Sequence, residues 1–211
     1  HRLIRRQRQM CIRDRNNILT YDKTLGEHHF NLLAGQEAYS YRYDVLRASR
    51  SNMALPDFPE LAVGSLVTGG TGYRVDYSLV GYFLNAQYDY QSKYFFSGSY
   101  RRDGSSRFAP ETRWGNFWSV SGSWRLSQEA FMESLSNVIT DAKIRASYGV
   151  NGTQPKDYYG YMGVYEFGYN YNGNGGSSEA RFYNPSLKWE KNYATTVSYT
   201  HLRAHETEAD L

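Results

Sequence analysis

Between residues 74 and 150 the side chains alternate with a period of two, and every mid-strand charge falls on the same side of the alternation. In 74–90, Val80, Tyr82, Leu84, Ala86, Tyr88 and Tyr90 share one face, while Gly81, Asn85, Gln87 and Asp89 share the other. In 93–102, Tyr94, Phe96, Gly98 and Tyr100 oppose Ser97, Ser99 and Arg101. In 114–126, Trp118, Val120, Gly122, Trp124 and Leu126 oppose Ser119, Ser121, Ser123 and Arg125, and in 142–150, Ile144, Ala146, Tyr148 and Val150 oppose Lys143, Arg145 and Ser147. Successive side chains of a strand point to opposite faces, so each stretch reads as a strand with one apolar and one polar face. A half-buried soluble sheet has this pattern. So does the wall of a transmembrane barrel, where a lipid-facing Arg or Lys at the bilayer midplane costs about 2–4 kcal/mol.

Two features favour the barrel over a soluble antiparallel sandwich. Tyr88, Tyr90, Tyr94, Trp118 and Trp124 gather near strand ends, as in the aromatic girdles of outer-membrane barrels, where a sandwich core would draw on Val, Ile and Leu. The stretch 74–90 is also long, at 17 residues, against about five or six for an average strand. Arg102 breaks the parity, but at a strand end, where the cost of a lipid-facing charge falls toward zero.

The rest of the chain supplies further strands. Asn17–Lys23 is one; after a tight turn at Leu25-Gly26-Glu27 a second runs over 28–45, with Phe30, Leu32 and Ala34 competing with Leu33 for the apolar face. A polar stretch, 47–73, with Pro56, Pro59 and "TGGTG", reads as a loop, and Gln91-Ser92 as a two-residue turn. "DGSSRFAPET" links the fourth and fifth strands, "SQEAFMESL" reads as a short helical cap, 151–184 as a long Gly-, Asn- and Tyr-rich loop, and the last strand begins near Leu187. Links therefore alternate short and long. The fold expected is an all-β antiparallel meander of about seven strands.

Charge excludes a nucleic-acid binder. The chain carries a net charge of +3, but residues 1–15 hold six Arg against Asp14, and 16–196 hold 17 basic and 17 acidic residues. No apolar run approaches the roughly 18 residues of a membrane helix, the first residues lack a signal-peptide core, and a single Cys makes no disulfide framework. The two ends, "QMCIRDR" within 1–15 and "SYTHLRAHETEADL" within 197–211, lack the alternation and resemble translated sequencing-adapter read-through. They are expected to be a non-native leader and tail that add no well-formed strand in the parity of their neighbours. On that reading the metal-ligand spacing of His201 and His205 carries nothing.

Catalytic signatures are missing as well. There is no GxSxG, His28 and His29 point to opposite faces of a strand, and "GGTG" and "NGNGG" do not stand between a strand and a helix as a phosphate loop must. No enzyme activity, cofactor or metal is expected.

"YRRDGSSRFAPETRWGNFWSVSGSWRLSQEAFM", "DAKIRASYGVNG", "NPSLKWEKNY" and "HHFNLLAGQE" resemble barrel segments of the SusC/RagA family of TonB-dependent outer-membrane transporters, over essentially all of 16–196. The resemblance implies that this part is an open segment of a 22-stranded barrel. It also implies import of large nutrients, oligosaccharides or peptides, across the outer membrane of a Gram-negative cell, with a SusD-like surface lipoprotein and TonB as partners. A passive porin-like or adhesin barrel and a soluble carbohydrate-binding β-sandwich are the alternatives. Asp103-Gly104-Ser105-Ser106 would be an extracellular turn, with Gly104 supplying a positive φ. The same orientation puts 151–184 outside the cell, and the expected substrate contacts are Tyr158, Tyr169 and Tyr171, whose rings can stack on sugars or peptide side chains, with Arg102 and Arg107 at the mouth.

Overall fold

The computed structural model describes residues 2–55, 57–58, 60–135 and 139–203. Seven strands pair antiparallel in one curled open sheet: β1 (Arg2–Leu25), β2 (His28–Met53), β3 (Gly64–Tyr90), β4 (Tyr94–Ser105), β5 (Trp114–Arg125), β6 (Ile139–Thr153) and β9 (Glu190–Arg203), in the order β1-β2-β3-β4-β5-β6-β9. A separate hairpin, β7 (Val164–Tyr171) and β8 (Asn174–Arg181), lies within the last long link.

Register carries the alternation from strand to strand. Leu84 lies opposite Ala34 and Tyr100, Tyr100 opposite Trp118, Trp118 opposite Val150, and Ile144 opposite Tyr199, so one apolar face runs across the lower part of the sheet from β2 to β9. Trp118, Val120 and Trp124 stay 41%, 51% and 38% exposed, where a sandwich would bury them between two sheets. Phe30, Leu32 and Ala34 join this face through Tyr88, Ala86 and Leu84, and Leu33 turns to the polar one. From Tyr90 to Val80 the chain climbs roughly 33 Å at about 3.3 Å per residue. At a tilt of about 40° that spans about 25 Å, the height of an outer-membrane apolar band. The barrel reading therefore holds, with seven strands present.

Turns at one end are tight. Gly26 (φ 61°) turns β1 into β2; Gln91 and Ser92 (φ 53° and 55°) turn β3 into β4, closed by Lys93 N–H on the Tyr90 carbonyl at 3.0 Å. Beyond β5, 3-10 turns at Leu126–Gln128 and Ala130–Leu135 carry Phe131, whose ring lies 6.3 Å from that of Trp124. Glu129 in this turn accepts hydrogen bonds from the Tyr94 hydroxyl at 2.6 Å and from Trp124 Nε1 at 3.0 Å. The Tyr94 bond, then that of Trp124 and the Lys93 charge, hold the Glu129 carboxyl below its ordinary range against the opposing effect of burial. The charged form is thus the one the fold favours: the anchor is complete above the ordinary Glu pKa of about 4.3 and is lost as the pH falls through the lower folded value. Hydrogen exchange of 126–134 should quicken on acidification through that range in the complete protein, and Glu129→Gln should abolish the pH dependence.

Three expectations are corrected. The loop expected over 47–73 shrinks to 54–63, because Gly69, Gly70 and Gly72 lie in β3 opposite Ser49, Ala48 and Leu46, around a bulge at Ser49/Arg50. Glycines give no side-chain alternation, yet their backbone groups pair like any others. Residues 2–15 and 198–203, expected to add no well-formed strand in the parity of their neighbours, do continue β1 and β9, but Arg13 and Arg15, opposite Ser40 and Ala38, fall on the face of Ala34, so the charge sorting of the neighbouring strands is not kept there. A strand as long as β2 offers a row of open backbone groups, and extended chain can pair with it whatever its side chains. Gly104, expected at positive φ, is instead in β4 opposite Trp114; a Cβ there would meet the indole at 2.9 Å, so close approach is what demands glycine. His205 lies outside the described residues.

Candidate functional site

At the end of the sheet with the long links, the "RRDGSSRF" run ties several segments together. Parity puts Arg101, Asp103 and Ser105 on the polar face of β4. Arg101 Nε donates to both Asp103 oxygens at 2.7 and 2.8 Å, and its Nη2 reaches Glu37 of β2 at 2.8 Å. Asp103 is buried, so this planar fork supplies the charge pairing that a buried carboxylate requires.

β4 ends opposite Leu79, so β3 continues with one edge uncovered. Side chains from two loops close that edge. Ser106 N–H donates to the Ser78 carbonyl at 3.0 Å and Ser106 Oγ accepts from Ser78 N–H at 2.9 Å; two residues further on, the Tyr159 hydroxyl accepts from Asp76 N–H at 2.8 Å. Each bond satisfies a backbone group that would otherwise invite a foreign strand.

Arg107 lies between two aromatic rings, 4.6 Å above Tyr77 and 4.6 Å above Tyr158, and its Nη1 donates to the Pro155 carbonyl at 2.6 Å. Gln154 Oε1 accepts from Ser105 Oγ at 2.7 Å and from the Tyr77 hydroxyl at 3.1 Å. Phe108, 0% exposed, packs 5.0 Å from Trp189, whose other neighbour is Phe117 at 5.2 Å and whose Nε1 donates to the Arg113 carbonyl at 2.9 Å. Phe108, Ala109 and Phe117, three of the buried apolar residues among those described, belong to this cluster. The run expected to be a turn tip is the knot that folds 154–159 onto the polar face.

The five residues expected to touch substrate are divided among three places. Arg107 and Tyr158 are in contact with each other inside the knot. Tyr169 and Tyr171 are on β7, 52% and 85% exposed, and Gly168 (φ 103°) bulges the strand so that they share the face of Glu166, which accepts the Tyr169 hydroxyl at 3.2 Å. Opposite them stand Gly176 and Asn174, too small to cover the rings. Arg102 is on the apolar face, its guanidinium 5.2 Å over Trp114, which stacks on Tyr82 at 6.3 Å: an upper-rim position rather than one on the polar face.

No family model matches the chain. It is similar to TonB-dependent receptor P39 of Formosa agariphila, 33% identical over 192 residues, covering 86% of this chain and 18% of that protein. It is also similar to TonB-dependent receptor SusC of Bacteroides thetaiotaomicron, 30% identical over 186 residues, covering 83% of this chain and 18% of that protein. The chain belongs to the TonB-dependent receptors of the SusC/RagA family. Its fold matches the solved RagAB peptide transporter with a TM-score of 0.87, at 22% identity, over 95% of this chain and 22% of that one. The TonB-dependent receptor chain thus spans less than a quarter of the length of these relatives, and its seven strands are an open segment of such a barrel. These relatives are receptors and transporters rather than enzymes.

Sequence reasoning about this receptor missed the tyrosines beneath Tyr158. Tyr39, Tyr41 and Tyr43 of β2 and Tyr77 and Tyr73 of β3 share the polar face, and Tyr158 stacks on Tyr41 at 6.2 Å and meets Tyr77 edge-on at 5.8 Å. The signal was present in "YSYRY", residues 39–43, where alternate tyrosines must face one way.

Proposed function

We propose that the complete protein imports large nutrients, oligosaccharides or peptides, across the outer membrane of a Gram-negative cell, driven through TonB and with a SusD-like lipoprotein closing over the mouth. The observation that carries this reading is the sorting of the sheet: exposed aromatic and aliphatic side chains on one face, and on the other a polar wall onto which the long links fold. Family membership supports it, as does the likeness to RagAB, itself a peptide transporter. Within this reading Tyr169 and Tyr171 meet the cargo, Arg107 and Tyr158 hold 154–159 against the wall, and Arg102 marks the upper rim. The same reading takes 16–196 as native barrel and 1–15 and 197–211 as non-native ends; resequencing that returned those ends in an unbroken frame would overturn that part.

The test is uptake of labelled oligosaccharides and peptides by cells carrying the complete protein, with and without a protonophore. Uptake that stops when the proton gradient collapses is the expected result. Uptake that continues unchanged would make the protein a passive pore.

A further inference from the structure

At the upper edge of the apolar band, the outward side of the sheet carries an arginine with no carboxylate to pair with. Arg102 is exposed on the apolar face of β4, opposite Tyr82 of β3 and Asn116 of β5. Along β5, Asn116 lies four residues above Val120, a climb of about 13 Å along the strand and about 10 Å along the membrane normal at a tilt of about 40°. In a band about 25 Å tall and centred near Val120, that row stands where hydrocarbon gives way to headgroups.

The guanidinium is held by its flat face. It lies 5.2 Å over Trp114, whose ring stacks on Tyr82 at 6.3 Å, and among the described residues no hydrogen bond or ion pair engages its N–H edge. Asn116, exposed beside it, accepts the Tyr100 hydroxyl on Oδ1 at 3.1 Å, so the amide N–H bonds remain as donors. The nearby carboxylates are turned away or already paired. Asp103 is on the opposite face, buried against Arg101; Asp76 and Asp44, higher on the outward face, are held by Arg42 and Arg74; Glu111 of the following link makes no ion pair with Arg102. Within two residues of this row, the other charges that the seven strands turn outward are Arg15, in the end taken as non-native, and Lys191, opposite Gly152. Both are cations.

Beneath these donors the surface is apolar and locally hollow. Tyr100, Leu84 and Trp118 stand exposed, and below them Gly98 lies between Ala86 and Val120, with open space where a side chain would be. Such a surface fits a ligand with an anionic, acceptor-rich head joined to an apolar body. Phosphate suits the head, because arginine can meet it with two parallel N–H bonds and the neighbouring amide adds a third. A soluble anion would leave the rings and the recess uncovered. A lipid covers them with its acyl chains.

We propose that Arg102 and Asn116, framed by Tyr82 and Trp114, form an outward-facing site for the phosphate of a membrane lipid in the leaflet at the mouth of the barrel, with an acyl chain over Gly98. The proposal rests on the reading of the sheet as a membrane-spanning wall, and it concerns the face opposite to the one along which cargo passes.

Native mass spectrometry of the purified complete protein in detergent tests it, with phosphatidic acid and diacylglycerol of the same acyl chains as probes. The unaltered protein should retain phosphatidic acid in preference to diacylglycerol. Arg102→Gln should lower that retention about 10-fold, the loss expected for charge-assisted hydrogen bonds to a phosphate. Arg102→Lys, which keeps the charge without the planar fork, should fall between the two. Arg145→Gln makes the same change of charge at an exposed position on the inner face of β6 and should leave retention unchanged. Excess inorganic phosphate should not displace the lipid; displacement would make this a site for soluble anions and overturn the proposal. Equal retention of the two lipids, or equal retention of phosphatidic acid by Arg102→Gln, would also overturn it. Heat-dependent migration on gels reports separately on the barrel: an unaltered protein that shows it, yet does not prefer phosphatidic acid, would refute the lipid site and leave the membrane-spanning reading standing.

Discussion

Val120→Arg in the complete protein is expected to lower the folded, membrane-inserted fraction sharply, whereas Ser121→Arg, one residue along, should leave it nearly unchanged. Val120 lies midway along β5 on the apolar face, 51% exposed, opposite Gly98 of β4 and Tyr148 of β6. With Trp124 below and Trp118 above, it sits near the middle of the apolar band, where a lipid-facing Arg costs about 2–4 kcal/mol. Ser121 faces the polar side, where its hydroxyl shares a 2.7 Å hydrogen bond with Ser97; losing that bond costs about 1 kcal/mol, and the new guanidinium remains in water. Migration of unheated against heated protein on gels, together with protease access to the mouth loops on intact cells, measures the folded fraction. Equal loss in both variants would mean that the two faces of the sheet do not see different solvents.

Phe108→Ala should have a different outcome, a loosened mouth on an intact barrel wall. Phe108 is fully buried beside Trp189, which is itself held by Phe117 and by the bond to the Arg113 carbonyl, so the surroundings cannot collapse into the space left behind. Removal of a buried Phe in such a place costs about 3–5 kcal/mol. The loss falls on the segment that also carries Ser105, Ser106 and Arg107, and with them the bonds to Gln154, Ser78 and Pro155. Hydrogen exchange should accelerate in 105–113 and 154–159, while the β4–β5 ladder within the band keeps its protection and insertion proceeds. Protection of 154–159 equal to that of the unaltered protein would show that Phe108 does not hold the loops down.

Which parts of this were readable in advance follows from what side chains report. The lipid-facing and polar-facing sets of β3, β4, β5 and β6 were legible because misplacing one charge in hydrocarbon costs as much as several hydrogen bonds, so the alternation must be strict there. Above the band that demand lapses: Arg42, Asp44, Arg74 and Asp76 occupy the face that is apolar lower down, neutralised by pairing across β2 and β3. The extension of β3 through Gly69, Gly70 and Gly72 was illegible for a related reason, since its ladder is built of backbone groups and leaves no pattern in the side chains.

The sequence alone determined the face that β3, β4, β5 and β6 turn to lipid, and the family, because both are written in local periodicity and in contiguous runs such as "RDGSSRF". Tertiary structure alone decided what those side chains meet. Arg102 and Arg107 are five residues apart and chemically identical, yet one stacks on Trp114 at the outer rim and the other locks Tyr77 to Tyr158 on the inner wall. Residues 77 and 158 are brought together by a link that crosses back over β4, β5 and β6, and no local pattern encodes a contact over that separation. Only the register of the sheet and the burial of Phe108 fix the direction in which the loop falls.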